Sequence, residues 1–154
     1  MTIKVLGVEI KGSILILALI EVTPSGISGG HASARPAIGF KPYKMAFPVA
    51  GRTNGENLQL LIDALNEIIQ TTGAEQVAFV QADDTSGMAR TKIEAALELV
   101  AHRRRITAIG VHAVSISAFR KKPANAALIG SLLSGGPAYA EKASLCVLRA
   151  FSAT

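Results

Sequence analysis

The sequence predicts an α/β fold in which a mixed sheet carries helices on both faces, in the order βββαβαβα. Three observations predict it. The apolar runs "IKVLGVEI" and "SILILALIEV" are joined by Lys11-Gly12, a two-residue connection suited to the tight turn of an antiparallel hairpin. Thr53-Asn54-Gly55-Glu56 has the pattern of a helix-opening capping box. Beyond it, short apolar strands alternate with segments of helical periodicity, as expected of a sheet covered by helices.

Residues 23–44, "TPSGISGGHASARPAIGFKPYK", combine Pro, Gly and Ser with little periodicity and are expected to form a long loop before a short strand near "KMAFPVA". After the capping box, Leu58, Leu61, Ile62, Leu65, Ile68 and Ile69 follow helical spacing until Gly73 supplies a stop. "QVAFVQ" is expected to be a short buried strand, and "ADDTSG" a polar turn. "MARTKIEAALELVAHR" is a second helix, with Ile93, Ala96, Leu97 and Val100 on one stripe. A strand near "TAIGVHAV", a short helix from Ser115 through Phe119, a loop "RKKPANAALIGSLLSGGP" and a last helix "AYAEKASLCVLRAF" complete the order.

With 154 residues the chain is expected to form one domain with a substantial core, 1–154. The run Ile14 to Ile20 is too short to span a bilayer, and Glu9 and Lys11 interrupt what would be the apolar core of a signal peptide. The single cysteine, Cys146, lies in an apolar helical pattern that suggests a buried structural thiol and a reducing compartment. The cytoplasm is therefore the expected location, with no membrane partner.

A formal charge of +5 and a pI near 9.7 favour anionic partners such as nucleic acid. The charge is local: from Ala89 to Lys122 there are eight Lys or Arg against Glu94 and Glu98. Arg90, Lys92, Arg103, Arg104, Arg105, Arg120, Lys121 and Lys122 are candidate phosphate contacts. Positive charge at helix C-termini is also favoured by the dipole, so a purely solvated face explains the two clusters equally well. Few aromatics argue against base stacking on a platform. His31, His102 and His112 lack zinc-ligand spacing, the Gly-rich stretches lack a P-loop ending, and Ser115, Ser117 and Ser144 lack companions for a triad.

Glu9 is the residue that most needs an explanation. Strand alternation places Val5, Gly7, Glu9 and Lys11 on one face and Leu6, Val8 and Ile10 on the other, so a carboxylate stands in the middle of an apolar strand. Desolvating it unpaired is costly, and a divalent cation or a basic partner must compensate. Lys11 is one such partner, or itself a phosphate contact. Two-ion phosphoryl chemistry needs several carboxylates from different elements, and Asp83, Asp84 and Glu141 are the candidates. Each has a plain alternative: Asp83 and Asp84 suit a turn, and Glu141 suits the first turn of a helix.

Taken together, "VLGVEIKG", "KIEAALELV", "AVSISAFRKK" and "YAEKASLCVLRAF" resemble successive blocks of a small bacterial family of unknown function. That family is placed with the RuvC-like branch of the ribonuclease H-like nucleases. The resemblance implies a ribonuclease H-like (RuvC-like) fold and a metal-dependent endonuclease acting on structured nucleic acid, DNA foremost. Two Mg²⁺ or Mn²⁺ ions would be held by acids on the first strand, at the end of the fourth and on the last helix. It assigns these places to Glu9, Gln81 and Glu141, and it implies action as a homodimer. Gln81 departs from the Glu of the family pattern: it keeps a carbonyl oxygen and loses the charge, so metal affinity should fall, unless Asp83 or Asp84 substitutes. The alternative is a non-catalytic module that binds nucleic acid or protein with a degenerate metal site.

Overall fold

The computed structural model describes residues 2–12, 14–23, 33–44, 49–81, 88–134 and 138–151, with the backbone alone described over 33–44 and 88–89. Five strands form one sheet: β1 (Ile3–Lys11), β2 (Ile14–Thr23), β3 (Ser33–Lys44), β4 (Gln76–Gln81) and β5 (Thr107–His112). Their spatial order is β3-β2-β1-β4-β5. The first three are antiparallel neighbours, while β4 runs parallel to β1 and β5 parallel to β4. A mixed sheet of the expected kind results.

Period-two alternation divides the core in two. Leu6, Val8 and Ile10 of β1 and Leu15, Leu17 and Leu19 of β2 pack under α1 (Asn54–Thr72) and α2 (Met88–Arg103). Val5 of β1 and Ile16, Ala18, Ile20 and Val22 of β2 turn the other way. They pack with α3 (Ala113–Lys121), α4 (Pro123–Leu132) and α5 (Glu141–Phe151). Helices therefore cover both faces, and none of the described helices is long and apolar enough to cross a membrane.

The start of α1 forms as its sequence demands. The Thr53 hydroxyl accepts from the Glu56 N–H at 3.1 Å, and the Glu56 carboxylate accepts from the Thr53 N–H at 3.4 Å. Both bonds of the capping box are present. Buried Asn57 fixes the approach, accepting from the Val49 N–H at 2.7 Å. At the other end Gly73 adopts the left-handed conformation, φ 68°, that closes the helix.

Two expectations are corrected. Much of the expected loop 23–44 is strand: β3 occupies 33–44 and pairs along β2 from Ser33↔Thr23 to Lys44↔Ile14. Pro36 and Pro42 hid it, since proline argues against a central strand but is tolerated in an edge strand, which β3 is. Of the short strand expected near 44–50, residues 45–48 lie outside the described residues, and Val49 and Ala50 are not in a strand. The expected loop 120–137 contains a helix, α4, whose Pro123 occupies the first turn, where a missing N–H costs nothing. The last helix opens with a short 3₁₀ turn, Ala138–Ala140, before α5 proper.

Candidate functional site

Gly7 sets the position of α5 on the sheet. A Cβ built at Gly7 would lie 2.7 Å from Val147 Cγ2 and would also strike the Ala143 carbonyl oxygen. Only glycine lets the helix backbone come this close to β1. With the helix seated there, its first turn, carrying Glu141 and Lys142, comes beside Glu9, two residues along β1 from Gly7 and on the same face.

A cleft of about 390 Å³ opens at this point. Its polar lining comes from Glu9 and Lys11 of β1, Ser117 and Arg120 of α3, and Glu141 and Lys142 of α5, over an apolar floor that includes Ile116 and Leu145. Glu9 is 7% exposed. Lys142 Nζ stands 3.9 Å from Glu9 Oε2, while the lysine side chain remains 46% exposed. The Arg120 guanidinium grips Glu141, Nε donating to Oε1 and Nη2 to Oε2, the latter at 3.5 Å. The hydrogen bond that Arg120 donates to Glu141, and then the negative charge of Glu141, raise the Arg120 pKa above its ordinary value. Each carboxylate in the cleft thus has a cation beside it.

The expected fourth-strand position falls differently. The parallel register pairs Gly7 with Ala78 and Val8 with Phe79, so one further step sets Val80, 1% exposed, beside Glu9. Gln81 follows the alternation of Val77 and Phe79 toward the α1–α2 layer. Its Oε1 covers Gly110 of β5, 2.7 Å from where a Cβ would be. It does not line the cleft that holds Glu9. Asp83 and Asp84 lie outside the described residues.

Among the described residues the two-ion centre that the resemblance implies is not complete, and its remaining candidates, Asp83 and Asp84, lie outside them. Two carboxylates line the cleft, a lysine and an arginine already neutralise them, and the neighbouring strand offers a buried valine where a third ligand would be needed. Among the described residues no three His, Cys, Asp or Glu gather where they could hold an ion.

The expected phosphate contacts separate into groups. Lys11 and Arg120 line the cleft, and Lys121 and Lys122 follow Arg120 on the exposed end of α3. Arg90 turns inward, its Nη2 donating to the Val80 carbonyl at 2.9 Å, and Lys92 is half-buried on α2. Arg103, Arg104 and Arg105 are exposed at the opposite end of the sheet, because α2 runs back from the C-terminal end of β4 to the start of β5. Arg104 donates to Asn66 Oδ1 of α1 at 2.9 Å. The six-residue length of β5 separates this group from the cleft end by roughly 17 Å at the usual strand rise.

Sequence reasoning missed Lys142, whose only signal was a cation in a helix's first turn, where the macrodipole disfavours one. It also missed Ser117 and the pairing of Arg120 with Glu141.

No family model and no curated protein matches the sequence. Solved structures do match. The RuvC structure of Thermus thermophilus aligns with a TM-score of 0.63 at 14% identity, over 95% of this chain and 91% of that one. T. thermophilus RuvC in complex with Holliday junction substrate aligns with a TM-score of 0.65, also at 14% identity, over 97% and 93%. Near-complete coverage in both directions shows that this chain has the RuvC-like, ribonuclease H-like fold.

Proposed function

We propose that this chain is a nuclease-derived RuvC-like domain that binds the phosphate backbone of structured nucleic acid, with DNA the first candidate, and does not cleave it. The observation that carries this reading is the cleft itself. It lies where the first strand and last helix meet, the place implied for catalysis, and its two acids are balanced by Lys142 and Arg120 in place of metal ions. Lys11 adds a positive charge at the rim, and Lys121 and Lys122 extend it along α3.

The binding mode follows from this composition. Lys and Arg contacts to phosphate fix the position of a duplex or junction without reading its bases. Affinity then rests on counterion release and falls steeply with salt. The neighbouring T. thermophilus RuvC is seen with a Holliday junction substrate, which makes branched DNA the first ligand to try.

The test is binding of branched, duplex and single-stranded DNA, measured with EDTA and again with Mn²⁺, with cleavage products examined in parallel. The expected result is salt-sensitive binding of branched or duplex DNA in EDTA, with intact strands after incubation in Mn²⁺. Cleavage in Mn²⁺ that disappears in Glu9→Gln would overturn the non-catalytic reading and return the cleft, with Asp83 or Asp84, to two-ion hydrolysis.

A further inference from the structure

The geometry points to Lys142 as a built-in counter-cation for Glu9, an ammonium that takes the place of a divalent ion and lets the cleft work without metal. The inference rests on the phosphate-binding reading and gives the cleft its charge mechanism.

The placement of Lys142 carries the argument. A helix N-terminus bears partial positive charge, so the first turn of α5 welcomes Glu141 and disfavours Lys142. A lysine is tolerable there when an opposing charge lies within reach. Glu9 supplies it, 3.9 Å away and with its side chain 9% exposed. Glu9 in turn needs a cation, because its neighbours across the sheet are Ile16 on β2 and, by register, Val80 on β4. Each residue is misplaced without the other.

A divalent ion bound by Glu9 would stand about 2 Å from a carboxylate oxygen and within a few ångströms of the lysine ammonium. The like charges would repel, and Lys142 would have to swing out. Glu141, the other acid of the cleft, is held by the Arg120 fork and is not free to offset that repulsion. With Glu9 matched by Lys142 and Glu141 by Arg120, Lys11 is left as the surplus charge among the polar groups lining the cleft. Its net sign suits phosphate.

Mn²⁺ binding reads this directly, by calorimetry and by the loss of the free-ion electron paramagnetic resonance signal. The proteins are wild type, Lys142→Ala, Lys142→Arg, and Lys142→Ala combined with Glu9→Gln. Lys142 is half-exposed, and thermal unfolding of each variant confirms the fold. The expected result is that Lys142→Ala binds Mn²⁺ at least tenfold more tightly than wild type. Lys142→Arg should stay at the wild-type level, and Glu9→Gln should abolish the gain. Equal Mn²⁺ affinity in wild type and Lys142→Ala, or a gain that survives Glu9→Gln, would overturn the inference. Failure to bind DNA in EDTA is a separate result, which removes the phosphate-binding reading and leaves the cation question to the Mn²⁺ data.

Discussion

Gly7 has no side chain because α5 occupies the space one would need. Val147 Cγ2 lies 2.7 Å from the missing Cβ, and the Ala143 backbone is also in the way. Gly7→Ala should therefore cost about 1–3 kcal/mol, the usual penalty of overpacking against groups that cannot yield. Urea unfolding would show it as a lower midpoint at unchanged slope. At Cys146 the apolar surroundings push the thiol pKa up from 9.0 to about 12. The native state keeps the proton while the unfolded chain loses it above pH 9, so this group's contribution is complete below that pH and drains away between 9 and 12. At pH 10 the loss is about 1.4 kcal/mol. Cys146→Ala should accordingly lose less stability than wild type between pH 8 and 10, as measured by denaturant titration at each pH. The thiol should also resist alkylation in the native state at neutral pH.

At the scale of elements, the ends of helices offer the sharpest tests. The Thr53 cap holds the first turn of α1, and Thr53→Ala should cost about 1 kcal/mol in thermal or chemical unfolding. The turn from α2 into β5 places Arg105 at φ 58°, a conformation that disfavours any side chain. Arg105→Gly should raise stability by about 1 kcal/mol, by the same measurement. Both hairpin strands, α1, β4, α2 and the last helix were legible because local signals agreed with the fold: capping, period and turn residues point the same way. β3 was not, since Pro36 and Pro42 speak against a strand until it is known that β3 lies at the sheet margin. α4 was hidden by a proline at its start and Gly130 in its interior. The site was legible in part. Glu9 stood out because nothing local explained it, but its partner Lys142 is remote in sequence. One residue of strand phase separates Gln81, which faces the α1–α2 layer, from Val80, which shares the side of Glu9. Alternation along "QVAFVQ" contains that phase, but only the parallel register with β1 shows which residue neighbours Glu9.

For the whole molecule, the division of positive charge matters more than its total. In the sequence the cations from Arg90 to Lys122 form one basic stretch. Folding draws Arg90 inward and sends Arg103, Arg104 and Arg105 to the end of the sheet away from the cleft. The screening length at physiological salt is about 8 Å, so charges roughly 17 Å apart act almost independently. For a short DNA junction at that salt, Lys121→Ala with Lys122→Ala should weaken binding by about tenfold. Arg103→Ala with Arg105→Gly should change it by less than about threefold. Fluorescence anisotropy on both double variants checks the ordering. A larger effect from the arginine pair would move the interface to the opposite end of the sheet.

The margin of the sheet has a consequence of its own. β3 is twelve residues long and borders the sheet, a length that would ordinarily invite another chain to dock alongside it through main-chain contacts. Pro36 and Pro42 cannot donate, and their amide nitrogens fit a strand paired on one side only if they look outward. With its prolines so turned, the outer rim is short of two donors that an incoming strand would need, and the same residues that disguised β3 in the sequence make it a poorer template for another strand.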